Sequence, residues 1–408
     1  MESPAVLGRW QRWIAAFLLA MTIAHLVIAW QQRTLLARGY GDFSAFYTAG
    51  LMARRGMGKQ LYDRRQQWQV QQEFASQVAI RKGPMPFIRP PFEAALFVPF
   101  SFFSYPAALA LWSVLKLALL WGALRALSRI KPFTQIYPAW FGIVLCLGFF
   151  PIFLDFYQGQ DAVVLLLLIV LALKCLTDGS DGMAGALLGL GLFKFQLVIP
   201  IVVVLTLVGR RRVLAGFACS AIVLAVVSCV ISGPGVLYQY PAYLLNLNRS
   251  PGIGMITAQS MPNLRGLLTV WVGRVPYPGP IHWLLLPIAI AALGYSACLW
   301  RPRGASASAM ALGYSLAISV TILTSYYAYS YDLTLLLVPL LLAAGCCRES
   351  RTSLSRKLLI AASLVLICAP LYWALILRWD RPYLLSIPTL LLATGLAGQM
   401  RESAAQSS

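Results

Sequence analysis

An all-α polytopic membrane protein is the fold class this chain predicts, on three observations. The 408 residues are 59% hydrophobic and only 11% charged, less than half the roughly 25% charged residues of soluble domains. Apolar runs at residues 14–30, 107–127, 213–231 and 358–377 approach the ~20 residues that cross ~30 Å of hydrocarbon. The basic residues sit in short blocks between such runs, as topology signals and headgroup contacts do. The net charge of +20 is therefore read against a membrane. No zinc finger, aromatic–basic RNA motif or basic tail accompanies it, which excludes a nucleic-acid partner.

The first run begins after Arg9 and Arg12 and lacks a small-residue cleavage site, so it is expected to stay as a span rather than leave as a signal peptide. A long polar segment, 31–105, follows. Phe43, Phe46, Tyr47, Gly50 and Leu51 repeat at i, i+3, i+4, i+7 and i+8, which predicts an amphipathic helix. It closes at Arg54, Arg55 and Lys59, beside Gly56 and Gly58. The Gln-rich stretch 61–78 predicts a second helix, too polar to span and so lying on the surface. Pro86, Pro90 and Pro91 then stop regular structure. The apolar piece 92–103 is too short to cross and contains Pro99, so it is expected to be interfacial or re-entrant.

Further spans are expected at 136–154, 162–176, 281–300, 307–324, 333–346 and 383–398. Region 182–208 reads either as one long helix or as two short ones broken around Lys194 and Pro200. The positive-inside rule chooses between them. With a cytoplasmic N-terminus and an up-and-back pair, four clusters face the cytoplasm: Arg125/Arg129/Lys131, Arg210/Arg211/Arg212, Arg301/Arg303 and Arg348/Arg351/Arg356/Lys357. A single span would carry every cluster from Arg210 onward outside. The expected architecture is thus one integral domain over 1–408 with about 12 transmembrane helices, in the cell inner (plasma) membrane. Its outer face comprises 31–105, 155–160, the Lys194 bend, 232–280, 325–331 and 378–382.

The candidate residues lie on that face. Asp42 reads either as a helix N-cap or as a base; Ala45 stands where a capping-box Glu would be. Asp155 and Gln160 flank the junction of two spans and read as helix-end groups or as substrate contacts. Lys194 lies between apolar half-helices, where a cation is a functional hypothesis by default, against snorkelling. Arg89, among prolines and apolar residues, grips a phosphate or anchors the interface. Asp332 follows a tyrosine-rich stretch from Tyr326 to Tyr331 that contains Tyr327, either an aromatic belt or part of a site. His25 and His282 read as packing residues.

Other chemistries lack their motifs. There is no G-x-S-x-G elbow, P-loop, H-E-x-x-H or dinucleotide fingerprint. The eight cysteines show no C-x-x-C spacing. Two histidines do not make a histidine-rich metal site. No cofactor or metal is expected, although spacing alone leaves open whether Asp42, Asp155 and Asp332 share an ion.

Taken in order, several segments resemble the polyprenyl-phosphate-sugar-dependent glycosyltransferases of family 87, which have a GT-C fold. The resemblance runs through Asp42-Phe43 with Tyr47-Thr48-Ala49-Gly50, Gly58-Lys59-Gln60-Leu61-Tyr62-Asp63, and Arg89-Pro90-Pro91-Phe92 with Pro99. It continues through Gly159-Gln160, Ala184-Gly185-Ala186-Leu187-Leu188-Gly189-Leu190 leading to Lys194, Arg210 to Arg212, Asn263-Leu264-Arg265-Gly266 and Tyr331-Asp332. It covers roughly residues 13–345. It implies transfer of a hexose, commonly mannose, from a polyprenyl-phosphate donor to a lipid or glycan acceptor on the extracytoplasmic face. By the same resemblance Asp42 is the general base, Lys194 and Arg89 bind the donor phosphate, and Asp155, Gln160, Tyr47, Asp332 and Tyr327 are expected around acceptor and sugar. One departure is Ser325-Tyr326-Tyr327-Ala328-Tyr329, where mycobacterial lipoglycan mannosyltransferases of the family carry a Ser-Trp…His-His element. That puts a phosphatidylinositol mannoside acceptor in doubt.

One carboxylate and a cationic leaving-group site suffice for inversion, whereas retention through a glycosyl-enzyme needs a second close carboxylate. The rival reading is a transporter or flippase of lipid-linked sugars, since a broken helix pair around an intramembrane lysine also suits alternating access. The asymmetric first loop and the lack of an evident inverted repeat favour the enzyme. A polymerase-like or ligase-like membrane transferase would differ in using a donor with two phosphates.

Overall fold

The computed structural model describes residues 9–76, 83–131, 133, 139–249, 257–272, 280–300, 306–346 and 353–407. Helix α1 (Arg9–Gln31) leads through α2 (Arg33–Ala37) into a cap of short helices, α3 (Phe43–Arg54), α4 (Arg64–Ala75) and α5 (Pro91–Phe97). Then come α6 (Tyr105–Leu127), α7 (Ala139–Gly148), α8 (Phe150–Gln158), α9 (Ala162–Thr177), α10 (Asp181–Leu190), α11 (Phe195–Leu207) and α12 (Arg212–Ser232). A second cap, α13 (Val236–Arg249) and α14 (Leu264–Val272), precedes α15 (Pro280–Trp300), α16 (Ala307–Thr324) and α17 (Leu337–Cys346). The chain closes with α18 (Leu354–Leu366), α19 (Ala369–Tyr372) and α20 (Ser386–Ser407). Among the described residues there is no strand.

Among the described residues, seven helical segments are long and apolar enough to cross a membrane, or eight if the bent pair Leu354–Leu366 and Ala369–Arg378 counts as one. That pair turns by 66°, so the expected continuous span 358–377 is broken, with Cys368 and Pro370 at the break. The expected span 136–154 is likewise split at Phe149 into α7 and α8, and its first residues lie outside the described ones.

Segment Asp181–Leu207 is apolar enough to pass as one span, yet its ends lie together. Arg210 donates to Asp181 at 3.1 Å. Helix α12 runs beside α10 in the same direction: a Cβ on Gly185 would stand 1.9 Å from the Val213 carbonyl, and Ser220 donates to the Ala186 carbonyl at 2.9 Å. The chain therefore turns back between α10 and α11, through a 3₁₀ turn at Gly191–Lys194 that ends with Lys194 at φ −120, ψ 56, outside the helical region. Small residues at the α10–α12 contact allow the close backbone approach on which helix association in lipid depends.

The first cap differs from expectation in one respect. A one-sided amphipathic α3 was the reading of its pattern, but every residue from Phe43 to Met52 is buried. The reason is that α4, α5, the Pro99–Phe102 turn and α6 all pack on it, with Phe46 stacked on Phe97 at 4.8 Å and Tyr47 edge-on to Tyr105 at 5.4 Å. The Gln-rich helix α4 uses its glutamines inward. Gln71 both donates to and accepts from the Met85 backbone, and Gln67 binds Leu61 and Phe87. Amide side chains thus satisfy the backbone of the proline-rich loop, which has no regular partner.

Candidate active site

Asp42 occupies the N-cap position of α3, but its backbone is already helical (φ −63, ψ −20) and its side chain caps nothing. Its carboxylate instead accepts a 2.6 Å hydrogen bond from the Gln160 amide. Gly159 puts Gln160 there. Helix α8 ends on this glycine at φ 70, in the left-handed region, so that the Gln160 N–H returns to the Asp155 carbonyl at 2.9 Å. Trp112 fixes the turn by donating to the Gly159 carbonyl at 3.0 Å. A side chain at 159 would meet the Phe43 Cβ at 2.5 Å, next to Asp42 itself.

From Gln160 the polar contacts continue inward. Its amide oxygen accepts from Arg89 at 3.3 Å, which fixes which way the amide points. The Arg89 guanidinium also reaches Asp161 and the Phe193 carbonyl, both at 3.3 Å. Asp161 lies 2.7 Å from the Lys194 ammonium, which is 2.5 Å from Asp332. Asp332 in turn accepts from the Tyr329 N–H at 2.8 Å. One connected chain of side chains therefore runs Asp42–Gln160–Arg89–Asp161–Lys194–Asp332, joining the first cap, the α8–α9 junction, the α10–α11 turn and the 325–332 segment.

Burial sets the protonation of this chain. Burial pushes the Asp161 carboxyl upward, but Arg89 and Lys194 together pull it down to about 2. Glu93, one helical turn from Arg89 and 3.9 Å from its guanidinium, behaves oppositely. Burial, and then the Asp161 charge, hold its carboxyl well above the usual carboxylate range. Among the described residues no donor reaches either Glu93 oxygen, nor Asp161 Oδ2. Glu93 is therefore the neutral member of this buried pair of carboxyls and Asp161 the ionised one. Removing one partner from such a buried ionic set costs about 3–5 kcal/mol, because it strands a charge.

A cavity of about 480 Å³ opens onto the near end of this chain, walled by Asp42, Phe46, Arg89, Gln160, Tyr329 and Tyr331 among others. Its lining draws on 40–46, 85–89, 150–160, Ser260, 329–331 and 376–382, nearly every segment assigned to one face from charge alone. The expected residues divide sharply. Asp42, Arg89 and Gln160 line the cavity; the other five do not.

Lys194 is fully buried between Asp161 and Asp332 and is not among the residues that line the cavity. Asp332 has its oxygens engaged by Lys194 and the Tyr329 N–H. Asp155 is buried, pairs with Lys116 at 2.9 Å and accepts from the Ala162 N–H at 2.7 Å, so it ties α6 to the head of α9. Tyr47 donates to the Phe103 carbonyl at 2.8 Å on the opposite side of α3. Tyr327 packs on Arg265 at 4.9 Å, while Tyr329 and Tyr331 take the wall position expected of it. Asp42, Asp155 and Asp332 have separate partners, and among the described residues no group of three or more His, Cys, Asp or Glu is placed to hold a metal ion.

Sequence reasoning missed Asp161, Glu93, Lys116 and Asp380, the last a wall residue at φ 50. The signal for two of them was present. Glu93 and Lys116 are single charges in apolar stretches, the same pattern that singled out Lys194. Asn263 and Arg265 hold the 325–327 backbone through bonds of 2.8 Å each to Ser325 and Tyr326, which gives that sequence motif a positioning role.

A carboxylate on the wall of a cavity, with an arginine one amide away, can accept a proton from a hydroxyl and stabilise an anion close by. Comparison with known proteins bears on the class of the protein. The chain is 28% identical over 224 residues to the polyprenol-phosphate-mannose-dependent alpha-(1-2)-phosphatidylinositol pentamannoside mannosyltransferase of Mycobacterium tuberculosis (strain CDC 1551 / Oshkosh), a stretch covering 53% of this chain and 49% of that protein. The chain thus matches about half the length of this curated relative. No solved structure matches. The family model for glycosyltransferase family 87 matches residues 87–325, a stretch that includes Arg89, Gln160, Asp161 and Lys194; Asp332 lies just past its end, and Asp42 lies well before its start. More than half of the chain lies within that match, and the protein belongs to glycosyltransferase family 87.

Proposed function

We propose that this glycosyltransferase moves a hexose, mannose in the first instance, from a polyprenyl-phosphate donor to a lipid or glycan acceptor, with Asp42 as general base. The observation that carries the reading is Asp42 itself: a carboxylate on the cavity wall, at a helix N-cap position but with no side-chain cap bond, held by Gln160, which is held in turn by Arg89. Membership of a glycosyltransferase family sets the transporter reading aside. The relative's dependence on polyprenol-phosphate mannose supports the donor class.

In the proposed step an acceptor hydroxyl in the cavity gives its proton to Asp42 while its oxygen attacks the anomeric carbon. The bond from that carbon to the phosphate oxygen breaks, and the polyprenyl phosphate leaves with the electron pair. Arg89 is the cation that meets the charge growing on the phosphate. Lys194 acts from behind, holding Asp161 and Asp332 so that Arg89 and the 329–331 wall keep their places. Direct displacement inverts the anomeric centre. The helix reversals support a reading of about twelve membrane passages. In that reading the broken or short segments α7/α8, α9, α10, α11, the run from Ser330 to Cys346, and α18/α19 cross as well, and the site faces the extracytoplasmic side of the plasma membrane.

The test is Asp42→Asn, which keeps size and a hydrogen bond to Gln160 but removes the base. Transfer by the purified variant is expected to fall about 10²–10⁴-fold in kcat, with the donor KM little changed. Transfer within twofold of the parent would remove Asp42 from the base role.

A further inference from the structure

Helix α3 separates two cavities. Asp42, Ala45 and Phe46 face the candidate active site. Tyr47, Leu51, Arg54 and Arg55 face a second, open cavity of about 670 Å³, closed on its other side by Arg38, Ser76, Ser104 and the Tyr105 end of α6.

The charge of this second cavity is one-sided. Arg55 is answered by Glu73 through two bonds of 2.7 Å. Arg38 and Arg54 are exposed and have no carboxylate within ion-pair distance among the described residues. The Arg54 guanidinium lies 4.7 Å over the Phe102 ring, and Phe102 is 68% exposed, an unusual state for a phenylalanine in water.

The cavity also sits at a defined level of the molecule. Arg38 follows the outer end of α1, and Ser104 precedes α6, two helices apolar enough to cross a membrane. At that same end of α1, Arg33 lies 4.0 Å over the exposed Trp30 ring. Aromatic rings and cations at span ends mark the headgroup layer. Further along α6, Leu111 and Val114 are apolar and exposed.

We propose that the second cavity holds the phosphate headgroup of an anionic membrane phospholipid, with its acyl chains along the exposed flank of α6. Arg38 and Arg54 bind the phosphodiester, and the serine hydroxyls meet the glycerol headgroup. The bound lipid braces α3 from the side opposite Asp42. It is a structural ligand of the enzyme, not its acceptor.

The full chain, purified in a neutral detergent, is titrated with short-chain phosphatidylglycerol, with phosphatidylcholine of the same chain length, and with glycerol 3-phosphate, and lipid retention is read by native mass spectrometry. Phosphatidylglycerol is expected to bind more tightly than phosphatidylcholine. Its affinity should fall about fivefold for Arg38→Gln and again for Arg54→Gln, as removal of one near-surface arginine predicts. Arg33→Gln, outside the cavity, should change nothing, and lysine at 38 and 54 should restore most of the binding. Equal retention of phosphatidylglycerol by the double variant and the parent would overturn the proposal, as would equal loss in Arg33→Gln. Displacement by glycerol 3-phosphate as effective as by the lipid would make the site one for a soluble phosphate and overturn the lipid assignment. Because retention is read without transfer, failure here leaves the role of Asp42 untouched, and failure of that role leaves this test intact.

Discussion

Asp42 and Gln160 show how far single residues can be read before a structure. A carboxylate at the head of a helix has an ordinary explanation as a cap, and only the 2.6 Å bond from Gln160 displaces it. Arg89, read from the sequence either as a phosphate grip or as an interfacial anchor, stands on the cavity wall bonded to Gln160, Asp161 and the Phe193 carbonyl. Asp161 was not legible, because a carboxylate at the head of an apolar run reads as another cap, and its pairing with Lys194 joins positions 33 residues apart in the chain. Glu93 carries a residue-scale prediction. Its carboxyl titrates well above its ordinary value of 4.5 through burial and the neighbouring Asp161. The unfolded chain therefore releases this proton first. The stability that Glu93 contributes is complete below about 4.5 and is lost as pH rises toward the folded value. Glu93→Gln cannot ionise and keeps the shape and polarity of the neutral acid. The variant is expected to melt higher than the parent at neutral pH and to lose Glu93's part of the decline between acidic and neutral pH, measured by thermal unfolding in detergent. Parallel melting curves across that range would show that Glu93 is not the buried neutral acid.

At the scale of elements, the apolar periods placed the helices well, because a 3.6-residue pattern and a 20-residue apolar run each have one cheap solution in a membrane. Bends were harder. The 66° break after Leu366 and the split at Phe149 each precede a proline in the first turn of the next helix, Pro370 and Pro151, a signal that apolar periodicity alone does not carry. The α10–α11 turn could be reasoned out only because charge clusters on either side of it demanded a reversal. The α8–α9 turn is the element that makes the site, and Gly159→Ala tests it. The substitution places a Cβ in a left-handed position and 2.5 Å from the Phe43 Cβ. A loss of about 1–3 kcal/mol in stability is expected, together with a fall in transfer of about 10²-fold as Gln160 moves off Asp42. Gly56→Ala is the control, since Gly56 shares the left-handed backbone (φ 73) but a Cβ there meets nothing within 4 Å. It should cost some stability and leave transfer near the parent level. Equal transfer by the two variants would mean that the turn does not position the base.

The whole molecule brings together segments that lie far apart in the sequence. Loop residues from 40 to 382 wall one cavity, and the same segments had been assigned to one side from the basic clusters alone. The sharing of a face was legible because the positive-inside rule counts lysines and arginines in the short segments between spans, a count that survives errors in helix boundaries. The interior wiring behind the wall was not, because which buried carboxylate meets which buried cation depends on packing between distant helices. This assembled cavity is proposed to transfer a sugar from a donor carrying a single phosphate. That transfer is tested most directly by incubating the purified full chain, in bilayer, with labelled polyprenyl-phosphate mannose, the matching polyprenyl-diphosphate sugar, and a membrane lipid extract, then identifying the labelled product. Label is expected to pass to a lipid or glycan acceptor from the monophosphate donor and not from the diphosphate. No transfer from any monophosphate donor, or transfer from the diphosphate donor alone, would contradict the account.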